Sequence, residues 1–97
     1  MRYLIVDGML SGTGVRDAVS GGYVLLAELG LSPSVVEVLT SWLARYEAAH
    51  YRQFDDPGEV TALDDIGLKL CDRLAQELPG SKVGYFSAAR MEKLKSA

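Results

Sequence analysis

Residues 32–50, SPSVVEVLTSWLARYEAAH, predict the helix around which the rest of the chain must fold. Ser32 is a favourable N-cap, and Pro33 is a favourable first residue of a helix. Apolar side chains then recur at steps of three and four residues, the spacing of one helix face. These side chains are Val35, Leu39, Trp42, Leu43, Tyr46 and Ala49 or His50. An amphipathic helix needs a second apolar surface to cover this face, so another part of the chain must supply one.

A second amphipathic helix is predicted towards the C-terminus. Residues 55–58, DDPG, indicate a turn within the linker Tyr51–Val60, and Thr61 and Asp64 have the spacing of a capping box. The helix is therefore expected to begin at Thr61. Its inward side chains are predicted to be Leu63, Ile66 or Gly67, Leu70, Leu74 and Leu78. A glycine at position 67 lowers helix propensity, which favours a close contact with the other helix as its reason.

Three short segments are predicted to form strands, namely Tyr3–Val6, Tyr23–Leu26 and Lys82–Ser87. The segment 8–22 between the first two contains five glycines, which predicts a loop. It contains neither of the common nucleotide-binding motifs, so a structural or partner-binding loop is favoured over a nucleotide site. The fold class that follows is α+β, a two-layer sandwich of two amphipathic helices on a small three-stranded sheet. We expect a single domain over residues 1–87 and a basic C-terminal tail or short helix over residues 88–97. The expected core contains Leu39, Trp42, Tyr46, Ile66, Leu70 and Leu74.

Composition excludes several classes of protein. The chain has 97 residues and a net charge of −3, so one domain is expected and direct binding of nucleic acid is disfavoured. A single cysteine and a single histidine exclude an internal disulfide and disfavour a zinc site, so no metal or cofactor is expected. No apolar stretch is long enough for a membrane helix, and the first residues do not resemble a signal peptide. A cytoplasmic protein without a membrane partner is therefore expected.

The charge is distributed unevenly along the chain. Residues 1–54 carry four basic and five acidic side chains, and residues 55–78 carry two basic and seven acidic ones. Residues 79–97 carry four basic and one acidic side chain, which makes this end positive. Carboxylates near a helix N-terminus complement the helix dipole, which accounts for Asp64 and Asp65. The remaining acidic side chains are either a solvated face or a surface for a basic protein partner.

Catalysis has weak support in the sequence. His50 is predicted at the end of the first helix, where a positive charge is favourable, and Glu47, Asp55 or Asp56 could orient its ring. No nucleophile is indicated, because Cys71 falls beside the inward face of the second helix and is expected to be buried. The sequence therefore favours a protein that is not an enzyme.

Several short segments resemble a family of small bacterial proteins. They are Gly12–Asp17, Gly21–Tyr23, Glu28–Ser32, Trp42 with Tyr46 and Glu47, Leu63 with Asp64, Gly67, Glu77 with Leu78, and Val83–Ser87. The spacing of these segments is similar to that of the immunity proteins of contact-dependent growth inhibition and other polymorphic toxin systems. The resemblance implies a cytoplasmic inhibitor that binds one cognate toxin domain and has no enzymatic activity. Many such toxins are nucleases, whose clefts are basic because they bind phosphates.

Charge, rather than the resemblance, places the predicted contact surface. The predicted partner-binding residues are Tyr51, Asp55, Asp56, Glu59, Asp64 and Asp65. The loop Ser11–Gly22 is the second candidate. Two other functions stay open: a small regulatory or structural subunit that self-associates through Tyr46, Tyr51 and Phe54, and an enzyme that uses His50 with Asp55 or Asp56.

Overall fold

A four-stranded mixed sheet forms one layer of the protein. The computed structural model describes residues 2–97, and its strands are β1 (Tyr3–Asp7), β2 (Val15–Asp17), β3 (Lys82–Ser87) and β4 (Glu92–Lys95). Their spatial order is β2-β1-β3-β4; β1 and β3 are parallel, and each outer strand is antiparallel to its neighbour. Helices α1 (Pro33–Tyr51) and α2 (Pro57–Glu77) form the second layer. The α+β prediction is confirmed, although the sheet has four strands instead of three.

The segment predicted to be a glycine-rich loop contains strand β2. Val15 pairs with Val6 of β1, and both side chains are buried. Residues 23–26 do not form the predicted strand: Tyr23 makes one isolated bridge to Arg16, and Leu26–Leu29 is a turn of 3₁₀ helix. A strand of three residues is too short to show the alternation from which a strand is predicted.

The C-terminal segment also differs from its prediction, because residues 92–95 form strand β4 and not a helix or a frayed tail. All four residues are exposed, so the strand has no apolar pattern that the sequence could display. Its position is fixed instead by pairing with β3 and by an ion pair of 2.9 Å between Lys95 and Asp72 of α2. An exposed edge strand with lysines is a common protection against unwanted strand pairing.

Helix α2 begins at Pro57, four residues before the predicted start. The side chain of Asp56 accepts the backbone N–H groups of Gly58 at 2.9 Å and Glu59 at 3.2 Å, so Asp56 is the N-cap. Thr61 therefore lies inside the helix. The error has a physical reason, since proline after aspartate is favourable both in a turn and in the first turn of a helix.

The core lies between the helices and one face of the sheet, and it includes Leu39, Trp42, Tyr46, Leu70 and Leu74 as predicted. Ile66 is only partly buried. The indole N–H of Trp42 donates to the carbonyl of Leu63 at 2.9 Å, which joins α1 to α2. Gly67 does make a close contact, but its neighbour is the ring of Tyr85 on β3 and not the other helix.

Cys71 gives a direct test of core packing. The thiol is buried and donates to the carbonyl of Gly84 at 3.1 Å, and burial raises the pKa of Cys71 to about 12. At pH 8 the thiolate fraction is then roughly a thousandfold below that of a free cysteine. We expect iodoacetamide to alkylate Cys71 only after denaturant is added, as measured by mass spectrometry. Rapid alkylation of the folded protein would contradict this packing.

Candidate protein-binding surface

The connection between the two helices is a sharp, well-anchored turn, which we call the elbow (residues 51–59). The helices run antiparallel, because Arg45 contacts Glu59 at one end and Ser32 contacts Glu77 at the other. Gln53 and Phe54 both have positive φ angles, of 55° and 53°. Such a conformation is unfavourable for residues other than glycine and persists only where surrounding contacts hold it.

Phe54 provides those contacts. Its ring packs edge-on against His50, with centroids 4.6 Å apart, and against Tyr46 at 5.9 Å. Its backbone N–H donates to the carbonyl of Ala49 at 2.9 Å. The elbow is thus held from the inside, while Tyr51 is 76% exposed and Asp55 projects from the same turn into solvent.

The carboxylates of the elbow are not equivalent. One oxygen of Asp56 caps α2, whereas both oxygens of Glu59 bind the guanidinium of Arg45, at 2.7 and 2.6 Å. Hydrogen bonding to Arg45 lowers the pKa of Glu59. Asp55 has no ion pair within residues 2–97. A pocket of about 300 Å³ lies among these groups and the basic side chain of Arg52, with Ala48, Ala49 and Phe54 as its apolar part.

Asp64 does not belong to the partner surface on which the sequence placed it. Its side chain is about 4% exposed and accepts hydrogen bonds from Tyr85 at 2.6 Å, Ser87 at 3.1 Å and Arg90 at 2.9 Å. Burial, followed by the hydrogen bond to Asp64, raises the pKa of Tyr85. Asp64 points into the protein because it lies beside Leu63 and Gly67 on the buried face of α2. It is therefore a structural residue that joins α2 to β3 and to the turn after it.

Asp65 is exposed but lies apart from the elbow. It follows Asp56 by nine helical residues, a distance of about 13 Å along α2. The structure therefore brings together Asp55, Asp56 and Glu59 around one pocket and exposes Tyr51 on the same turn. It places Asp65 apart from this group and buries Asp64.

Intramolecular partners account for much of the charge in residues 55–78. The basic C-terminal segment supplies two of them: Arg90 binds Asp64, and Lys95 binds Asp72, each at 2.9 Å. Glu77 accepts both the backbone N–H and the hydroxyl of Ser32, which lowers the pKa of Glu77. Three acidic side chains of this stretch form no ion pair and no hydrogen bond with another segment in the described part of the chain. They are Asp55, Asp56 and Asp65.

A second buried carboxylate, missed in the sequence, anchors the Ser11–Gly22 loop. Asp7 is 1% exposed and binds Arg16 at 2.9 Å and the hydroxyl of Tyr23 at 2.6 Å. Burial and this hydrogen bond raise the pKa of Tyr23. The outer turn of the loop stays exposed, including Val19. Only the pairing of β1 with β2 brings Asp7 and Arg16 together, so no local pattern could have revealed the cluster.

In the described residues, no contact supports either an enzyme that uses His50 or self-association through the tyrosine surface. The ring nitrogen Nε2 of His50 lies 3.0 Å from the carbonyl of Gly8, and no hydrogen bond joins His50 to Asp55 or Asp56 in residues 2–97. Tyr46 is fully buried, with its hydroxyl accepting the N–H of Ala89 at 2.9 Å. The predicted surface of Tyr46, Tyr51 and Phe54 is therefore wrong, since only Tyr51 is exposed.

Two further properties hold for residues 2–97. No three histidine, cysteine or acidic side chains in this range form a group able to hold a metal ion. Neither helix of the described chain has the length and apolar character needed to cross a membrane.

Comparison with protein-family models gives no match, and a search of curated proteins finds no relative.

Proposed function

We propose that this chain is an immunity protein that binds and neutralises a cognate bacterial toxin domain through the elbow. The observation that carries the proposal is a turn, fixed by Phe54, that exposes Tyr51, the unpaired carboxylate of Asp55 and the cap residue Asp56. Tyrosine is enriched among the residues that dominate binding energy at protein interfaces. A rigid turn loses little conformational entropy when it binds, which favours affinity.

The charge of the elbow defines the chemistry of the partner. Glu59 is paired with Arg45. The unpaired charges of the elbow are therefore Asp55 and Asp56 against the exposed Arg52, which leaves the elbow net negative. A net negative surface complements one rich in lysine and arginine and accelerates association with it. Nuclease domains carry such surfaces because they bind phosphates. A toxin nuclease is therefore the partner class that fits the elbow best, and inhibition by binding requires no catalytic residue in this chain.

The function is tested by co-expression with the product of the gene immediately upstream. If the proposal is correct, that product inhibits growth by itself, this chain restores growth, and the two proteins co-purify. A toxic upstream product that is neither neutralised nor bound by this chain would refute the proposal.

The elbow itself is tested by removing its charge without damaging α2. We expect Asp55→Lys combined with Asp56→Ser to lower the association rate with the upstream product by about tenfold at low salt, and by less at high salt. Serine keeps the N-cap of α2, whereas lysine at position 56 would remove it. The rates are measured by surface plasmon resonance at two ionic strengths.

Glu28→Lys is a matched control. Residue 28 is exposed in the 3₁₀ turn before α1, at the end of the helix layer opposite the elbow. The control changes the net charge in the same direction and should leave the association rate nearly unchanged. Equal effects of the two variants would show that total charge, and not the elbow, controls association.

A further inference from the structure

The outer side of the helix layer, away from the sheet, contains an apolar groove between α1 and α2. Two depressions of about 450 and 210 Å³ form it, and Val38 and Ile66 line both of them. Val38 is 43% exposed, and Trp42 and Leu70 form part of the floor. No other element of the described chain covers this apolar surface, which the two helices share.

The charged side chains along the groove follow a regular pattern. Arg73 of α2 contacts Ser34 of α1 at 3.4 Å, which places Glu37 of α1 at the level of the basic residues Lys69 and Arg73. Farther along, towards the elbow, Arg45 of α1 faces Glu59 of α2. From the Ser34 end towards the elbow, the α1 side of the groove is therefore first acidic and then basic. The α2 side is first basic and then acidic at the same positions along the groove.

We propose that this groove is the interface of a homodimer whose twofold axis runs along the groove. A rotation of 180° about this axis exchanges the two sides of the groove and keeps each residue at the same position along it. The α1 helix of each subunit therefore lies against α2 of the other. Glu37 then meets the partner subunit's Lys69, and Val38 packs against the partner subunit's Ile66. Because the two sides of the groove have opposite signs at both positions, the surface is complementary to itself, as a twofold interface requires.

The dimer goes beyond the proposed function and is compatible with it. An axis along the groove directs the elbows of both subunits towards the same end of the dimer. Tyr51 and Asp55 of each subunit lie beyond the apolar part of the groove and stay exposed. The dimer would thus present two elbows side by side, which would permit simultaneous binding of two toxin domains.

Sedimentation equilibrium of the purified chain tests the interface. We expect a mass of twice 10.5 kDa at micromolar concentrations and a dissociation constant at least about 30-fold higher for Val38→Glu, which places a charge in the apolar centre of the interface. Val19→Glu is the matched control, because Val19 is 82% exposed on the Ser11–Gly22 loop. Circular dichroism checks that both variants are folded.

Charge reversal tests the orientation. Glu37→Lys and Lys69→Glu should each weaken the dimer by about tenfold, and the double variant should recover most of the lost affinity. A chain that stays monomeric at several hundred micromolar would overturn the proposal. A dimer that Val19→Glu disrupts and Val38→Glu leaves intact would also overturn it, as would a double variant no tighter than the single ones. None of these outcomes depends on binding of the upstream product, so the dimer and the proposed function are tested separately.

Discussion

Replacing Gly67 by alanine is expected to lower the free energy of unfolding by about 2 kcal/mol, although alanine is the better helix former. A Cβ atom at position 67 would overlap the ring of Tyr85, lying 2.6 Å from its Cζ and 2.9 Å from its Cδ1. The ring has little freedom to move, because Tyr85 is fully buried and its hydroxyl is bound to Asp64 at 2.6 Å. The gain in helix propensity, about 1 kcal/mol, is therefore smaller than the cost of overpacking.

Urea unfolding followed by the fluorescence of Trp42, the single tryptophan, measures this effect. Gly58→Ala is the matched control in the same helix, because a Cβ there would meet only the side chain of Asp56, at 3.3 Å. We expect this control to change stability by less than about 1 kcal/mol. Gly67→Ala should also cost less when Tyr85 is already replaced by leucine, since the clashing ring is then gone. A stabilising effect of Gly67→Ala in the wild-type background would contradict the packing.

The parts of the fold that could be predicted from sequence are those specified by local signals. Helix α1 begins at Pro33 after the Ser32 cap, as its sequence indicates, and short apolar runs predict the central strands β1 and β3. The sequence predicts helix α2 but not its first residue, because Asp56-Pro57-Gly58 is equally favourable in a turn and at the start of a helix. Strand β4 carries no periodic pattern, so pairing with β3 alone defines it.

The candidate site was only partly predictable for a related reason. The acidic stretch was visible in the sequence, but its partners lie elsewhere in the chain: Arg90 reaches Asp64, and Lys95 reaches Asp72. The uneven charge along the chain therefore reflects, in part, contacts between two segments of one molecule. The sequence also favours a capping role for Asp64 at the start of the helix, because its spacing from Thr61 is that of a capping box, whereas Asp64 is buried and Asp65 is exposed. Adjacent residues on a helix point about 100° apart, and the boundary of the buried face falls between these two.

Replacing Asp64 by alanine is expected to lower the free energy of unfolding by about 3 kcal/mol. The substitution leaves the buried hydroxyls of Tyr85 and Ser87 without their acceptor. It also detaches Arg90, whose guanidinium is bound to Asp64 at 2.9 Å. The Arg90 side chain is 46% exposed and can be rehydrated, so the loss comes mainly from the two hydroxyls and the cavity.

The matched variant is Asp72→Ala, because Asp72 also joins α2 to the C-terminal segment through an ion pair of 2.9 Å. Both side chains of that pair are exposed, and water competes with the interaction, so a loss below about 1 kcal/mol is expected. Urea unfolding monitored by Trp42 compares the two variants under identical conditions. If burial determines the contribution of these carboxylates, Asp64→Ala is several times more damaging than Asp72→Ala. Equal losses would instead mean that attachment of the C-terminal segment, by either ion pair, is the quantity that controls stability.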